Sequence, residues 1–264
     1  MISTVAKPRE SFRVAPQYQP ILREIGLDAT GVFDHPMIKV WRSIPERENC
    51  TLDAELEDGR RIRFHIKRFK PQFGTSTPAD EESRGIRYLQ TEGIATVPLV
   101  GWGKLHDGRS FILTEDLTGY RDAEKLVRDG LRFEAMLNST ADLAARLHAH
   151  GLHHRDLYLC HFFVKERDPT HVRLIDAGRV KRLPGWPMKN RWIVKDLAAF
   201  WFSTMSLPVT DDQRARWLER YASQRDLNDV AGLRAKIERK AASIARHDAR
   251  LRAKQKDRNI SIPQ

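Results

Sequence analysis

The sequence predicts an α+β fold of two lobes, a small β-rich N-terminal lobe followed by a larger helical one. Three observations predict it. Residues 61–69, "RIRFHIKRF", alternate apolar and polar side chains with period two, as a half-buried strand does. After "LTGYRD" (117–122) apolar residues recur at helical spacing instead. The chain of 264 residues, 41% hydrophobic and 31% charged, can bury a full core and is long enough for one large domain or two lobes.

Residues 1–36 carry scattered prolines and weak periodicity, and read as an irregular lead-in with one short helix. "MIKVWR" (37–42) and "TLDAEL" (51–56) read as strands, and "EDGR" (57–60) signals a hairpin into 61–69. "PQFGTSTP" breaks that pattern. "ADEESRGIRYLQTEG" (79–93) then has the acidic first turn and glycine stop of a helix. "TVPLVGWGKL" and "RSFILTEDL" complete an N-terminal lobe over 37–117. In the lobe over 118–264, Phe133, Met136, Leu137, Thr140, Ala144, Leu147 and His148 mark a helix that Gly151 stops. "HVRLIDAG" (171–178) is a short strand and tight turn, and "HFFV" with "VRLI" pairs as a hairpin. "WIVKDLAAFWFSTM" (192–205) and the chain up to about Lys256 read as helical, the last helix being basic.

The formal charge of +11, from 46 Lys and Arg against 35 Asp and Glu, calls for an anionic partner without saying which. Aromatic residues are not interleaved with the basic clusters, which argues against a specific nucleic-acid binder. Only two cysteines occur, in no metal-ligand spacing, as in a protein of a reducing compartment. No apolar run approaches the roughly 20 residues of a membrane helix, and the first residues lack a signal-peptide core. A cytoplasmic protein is expected, with peripheral membrane contact left open.

Four ionisable residues stand out by context: Lys67 near the end of a strand, Glu82 in the next helix, Asp156 in "HHRDLYLCHFFV", and Asp176 in "LIDAG". In this order they resemble the protein-kinase-like fold, with its strand lysine, helix glutamate, HRD loop and DxG metal turn. "FILTEDL", "HRDLYLCHFFV" and "KDLAAFWFSTM" resemble more narrowly the lipopolysaccharide core heptose kinases, the group that includes the Kdo kinases. The likeness runs from about Lys67 to Tyr221. It implies ATP and Mg²⁺ as cofactors and phosphate transfer to a heptose hydroxyl of the lipopolysaccharide inner core. On the same likeness Asp156 is the catalytic base and Lys67 and Glu82 the ATP-anchoring pair. Asp176 becomes the metal ligand, the backbone of Glu115, Asp116 and Leu117 the adenine hinge, and His161 stands where protein kinases have a metal-binding asparagine. An acyl carrier protein is admitted as a partner beside the anionic glycolipid.

Each assignment has a plainer competitor. Asp156 could cap a turn. Glu81, adjacent to Glu82, shares the helix-start acidity. His161 could be a buried hydrogen-bonding histidine, since imidazole is a poor Mg²⁺ ligand, and Asp196 reads as a brace for the loop. No glycine lies in "SIPERENC" (43–50), so no glycine-rich lid covers a nucleotide; Ser43 and Asn49 are the polar candidates there. That gap keeps open a pseudokinase-like nucleotide-binding scaffold, and substrates such as Kdo, another glycolipid or a protein tyrosine. Arg155, Arg179, Lys181, Arg182, Lys189 and Arg191 are candidates for the anionic substrate, because guanidinium pairs bidentately with phosphate and carboxylate. In the C-terminal stretch, Val230, Ile237, Ile244 and Leu251 recur every seven residues, as a helix resting on the second lobe requires.

Overall fold

A computed structural model describes residues 10–72 and 74–254. The ends of the lead-in and of the basic C-terminal stretch lie outside the described residues. Two compact units emerge, one of residues up to Arg87 with Val97–Asp116, the other of Tyr88–Thr96 and the chain from Leu117.

In the first unit, β1 (Ser11–Val14), α1 (Gln19–Glu24) and α2 (Gly31–Asp34) precede the meander β2 (Ile38–Ile44), β3 (Arg47–Glu55) and β4 (Arg61–Phe69). Then come α3 (Pro78–Thr91), β5 (Leu99–Lys104) and β6 (Ser110–Glu115). The strands form one antiparallel sheet in the order β1-β5-β6-β4-β3-β2. Period two sorts its faces: Leu52, Phe64, Ile66, Phe111 and Leu113 enter the core, and Lys67 and Asn49, paired across β4 and β3, lie on the other side.

The lead-in is more ordered than its sequence suggests. β1 forms the edge of the sheet, and Tyr18, Leu22 and Val32 join the core. Four residues are too few to show a period, and the docking is written in the partner strand. A Cβ on Gly103 would sit 2.1 Å from Ser11 O, and one on Gly101 would sit 2.8 Å from Arg13 O. Only glycine lets β1 approach that closely. Arg68, on the inner face of β4, is buried because its Nε donates to Val32 O at 2.7 Å.

The second unit runs β7 (Tyr120–Asp122), α4 (Ala123–Arg128), α5 (Glu134–Ala149), β8 (Leu152–His153), β9 (Phe162–Lys165), β10 (Asp168–Leu174), β11 (Lys181–Arg182), α6 (Met188–Thr204), α7 (Asp211–Ser223) and α8 (Val230–Lys254). The apolar series on α5 is buried throughout, and Gly151, at φ +70°, follows its end. The β9–β10 hairpin is present. The sequence gives no sign of β7, a three-residue strand paired with β9. Thr210 and Gln213 cap α7 reciprocally. Trp217 on α7 stacks on Phe200 of α6 with centroids 3.9 Å apart, and its Nε1 donates to Thr140 Oγ1 of α5 at 3.0 Å. α8 packs along α6. Ile237 and Ala241 are fully buried there, whereas Val230, Ile244 and Leu251 are half-buried.

Candidate active site

In the first unit the chemistry-bearing pair is Lys67 and Glu82. Thr77 opens α3 by accepting the Asp80 N–H, while Asp80 accepts the Thr77 N–H. With the helix start so fixed, Ser76 and Arg84 both donate to Glu81, and the next residue, Glu82, turns inward. Its Oε1 accepts from Lys67 Nζ at 2.5 Å, and the two side chains are only 6% and 12% exposed. This settles which of the adjacent glutamates meets the lysine. The hairpin between β2 and β3 is a tight turn through Pro45 and Glu46. Asn49, opposite Lys67 in the register, is 3% exposed, and its Oδ1 is buried without a hydrogen-bond partner. Ser43 pairs across the same hairpin with Glu48.

The adenine-hinge reading narrows. The Glu115 N–H donates to Pro98 O at 3.1 Å and the Asp116 N–H to Arg63 O at 3.0 Å. Neither amide is available to a base, because each serves the sheet and its edge. Glu115 Oε1 also accepts from Tyr18 Oη at 2.5 Å. The Leu117 carbonyl in turn accepts the Tyr120 N–H at 2.9 Å.

In the second unit, β8 leads into His154-Arg155-Asp156, and pairing with β11 places the chain after Asp176 beside that loop. Arg179 Nη1 donates to both carboxylate oxygens of Asp156, at 2.8 and 2.9 Å. His161 Nδ1 lies 2.6 Å from Asp156 O. A carbonyl only accepts, so Nδ1 carries the proton, and Nε2 points toward Asp176 Oδ2, 3.6 Å away. Asp156, His161, Asp176 and Arg179 are thus gathered at one place.

Asp176 of this cluster, at φ +58°, and Arg155 beside Asp156, at φ +72°, hold left-handed backbone. Non-glycine residues adopt it at a cost, and the surroundings must enforce it. Asp196 of α6 does so for the loop. Its carboxylate accepts the amides of His154 at 2.6 Å and Arg155 at 2.7 Å, with His148 Nε2 at 3.3 Å. Burial alone would push the Asp196 carboxyl up, but the His148 contact, the neighbouring histidines and the His154 amide outweigh it, so the group is held below its ordinary range. Burial also pushes His153 down to about 4 and lowers His154, so both are neutral near pH 7.

The six basic candidates separate. Arg179 meets Asp156, and the Arg155 guanidinium lies 4.7 Å over the Trp192 ring. Arg182 approaches Glu92 at 3.6 Å and covers Tyr88; Lys181, Lys189 and Arg191 are exposed. The sequence reading passes over Lys195 and Trp192. Lys195 Nζ lies 5.1 Å over the same Trp192 ring. Burial, then the charges of Arg179 and Arg155, hold its ammonium below the usual lysine range against the pull of Asp156. The signal for both residues was their position one turn and one residue before Asp196 on α6. Among the described residues no group of three or more His, Cys, Asp and Glu is arranged to hold a metal by itself.

Comparison with known proteins gives the cluster its context. Residues 61–221 match the lipopolysaccharide kinase (Kdo/WaaP) family. The chain is 31% identical over 185 residues to the lipopolysaccharide core heptose(I) kinase WaaP of Pseudomonas aeruginosa, covering 63% of this chain and 68% of that protein. Its identity to the protein of the same name in Escherichia coli K12 is also 31%, over 226 residues, covering 70% and 84%. Among solved structures, an aminoglycoside-3'-phosphotransferase of type VIII aligns at a TM-score of 0.52 and 14% identity, over 77% of this chain and 93% of that one, and shows the protein-kinase-like fold. An antiparallel sheet in one unit, helices in the other and the matched span lead to one conclusion: this chain is a kinase that belongs to the lipopolysaccharide kinase (Kdo/WaaP) family.

Proposed function

We propose that the protein transfers the γ-phosphate of ATP to a heptose hydroxyl of the lipopolysaccharide inner core, with Asp156 as the base. The observation that carries this reading is the gathering of Asp156 and Asp176 around His161, in a chain similar to proteins named heptose(I) kinases. Phosphoryl transfer asks for positioning and charge neutralisation more than for covalent chemistry.

The residues fit the two cofactors. Lys67, oriented by Glu82, is a phosphate anchor, and the orphaned acceptor Asn49 Oδ1 beside it suits a donor on the nucleotide. Asp176 supplies a hard carboxylate for Mg²⁺, which when bound neutralises phosphate charge. His161 Nε2 faces that carboxylate, as a ligand or an orienting neighbour. Arg179 engages each Asp156 oxygen through a single nitrogen, which leaves lone pairs on both oxygens for a sugar hydroxyl. Asp156 takes the hydroxyl proton, the sugar oxygen bonds to the γ-phosphorus, and the bond to the bridging oxygen breaks to release ADP. Arg179, Arg155 and Lys195 form the positive surroundings for an anionic acceptor and the phosphoryl group.

Mass spectrometry of the lipid core from cells with and without the gene tests the reading. One phosphate on heptose, lost with the gene and restored by the wild-type copy, is expected. An unchanged core would overturn it, and ATP binding without transfer to any glycolipid would favour a pseudokinase-like scaffold.

A further inference from the structure

We infer that the exposed segment from β11 to the start of α6 is a docking surface for an anionic phospholipid bilayer, with Trp186 and Met188 as its apolar tip. Between Asp176 and Asp196 the chain carries six Lys and Arg and no acidic residue. Arg179 is engaged with Asp156, and Lys195 sits on Trp192. Lys181, Arg182, Lys189 and Arg191 are all exposed and flank the tip, Arg182 lying 3.6 Å from Glu92. Trp186 is 86% exposed, more than any other large hydrophobic side chain among the described residues, and Met188 is 38% exposed. An indole in water beside basic side chains is poorly placed for solubility and well placed for a headgroup layer, where its amphipathic ring is at home. The segment is anchored, because β11 pairs with β8 and the Leu183 amide donates to Gly151 O at 2.7 Å.

Two other surfaces compete less well. The apolar stripe of α8 is largely taken up against its own unit, with Ile237 and Ala241 fully buried. Met37, just before β2, and Val40 and Trp41 on it are exposed, but the adjoining β3 carries Glu48, Asp53 and Glu55, and the Trp41 ring rests on His65 at 5.5 Å. Mixed charge there is not complementary to an anionic surface, whereas the acid-free segment is.

The inference rests on the proposed function in one respect: a lipid-linked acceptor presents its sugars above such a surface. Binding itself needs no catalysis. The full chain is sedimented with vesicles of phosphatidylglycerol and phosphatidylethanolamine, and with vesicles of phosphatidylcholine alone. Partition onto the anionic vesicles only, weakened by salt, is expected. Lys189→Gln with Arg191→Gln should lower it about twenty-five-fold, about fivefold for each cation removed. Trp186→Ser should also lower it with an unchanged melting temperature, and lipids with brominated chains should quench tryptophan emission less in that variant. Trp41→Ser should bind like the wild type. Equal binding to phosphatidylcholine, wild-type partition by Trp186→Ser, or loss confined to Trp41→Ser would overturn the surface. Vesicle binding by a protein that phosphorylates no acceptor would leave this surface standing and remove the proposed function. Phosphorylation of a deacylated, water-soluble core without vesicle binding would do the reverse.

Discussion

Asp196 lies fully buried with its charge because two loop amides and His148 surround it. Removing that charge leaves the amides of His154 and Arg155 without an acceptor and the left-handed Arg155 without its brace. Asp196→Ala should therefore cost about 3–5 kcal/mol in urea unfolding and lower turnover through a loosened loop. His153 sets a pH dependence. Its imidazole is neutral in the fold, with a pKa pushed down to about 4 by burial, so the unfolded chain takes up the proton first as pH falls. Stability should decline from about pH 6.5 to about pH 4 and then level off, losing up to about 3 kcal/mol from this group; urea melts across that range measure it. His154 acts in the same direction. Both cysteines are free, and burial pushes Cys50 up to about 11 and Cys160 up to about 12. Asp156, Asp176, Lys67 and Glu82 were legible in the sequence because their spacing follows the order of the elements that carry them. The partners were not. Arg179 reaches Asp156 only because two-residue strands pair, and Lys195 needs the helix phase that Asp196 fixes.

At the scale of elements, β1 is held by what β5 lacks. Gly103→Val would drive a side chain into Ser11 O and the Phe111 ring. Expulsion of β1 is expected, with a loss of about 1–3 kcal/mol and faster amide exchange at residues 11–14. The sequence showed the long strands and helices, whose periodicity survives over many residues. It hid β1, β7, β8 and β11, whose two to four residues cannot carry a pattern and whose existence is decided by partners elsewhere. α3 shows how an element delivers chemistry. Its Thr77–Asp80 cap fixes the helix phase, and the phase separates Glu81 on the surface from Glu82 on Lys67. Lys67→Met leaves the Glu82 carboxylate buried without its cation, so loss of ATP binding, read by calorimetry, should come with a lower melting temperature.

Across the whole molecule, the net charge of +11 is unevenly used. Many arginines are spent in pairs on their own surface, such as Arg220 with Asp142 and Arg63 with Asp53, which contribute little individually to stability. Between residues 176 and 196 six Lys and Arg occur with no acidic residue among them, and Arg179 of this run meets Asp156. An enzyme with an anionic, lipid-linked acceptor has a use for that asymmetry, and no helix among the described residues is long and apolar enough to cross a membrane. Fold alone does not select the acceptor; the proposal of heptose draws on the names of the similar proteins. The most direct measurement is transfer of labelled phosphate from ATP to a purified heptose core, by the wild type and Asp156→Asn side by side. The account predicts transfer by the wild type and a loss of about 10²–10⁴-fold in the variant, with both proteins melting alike. Transfer by Asp156→Asn at the wild-type rate would contradict it.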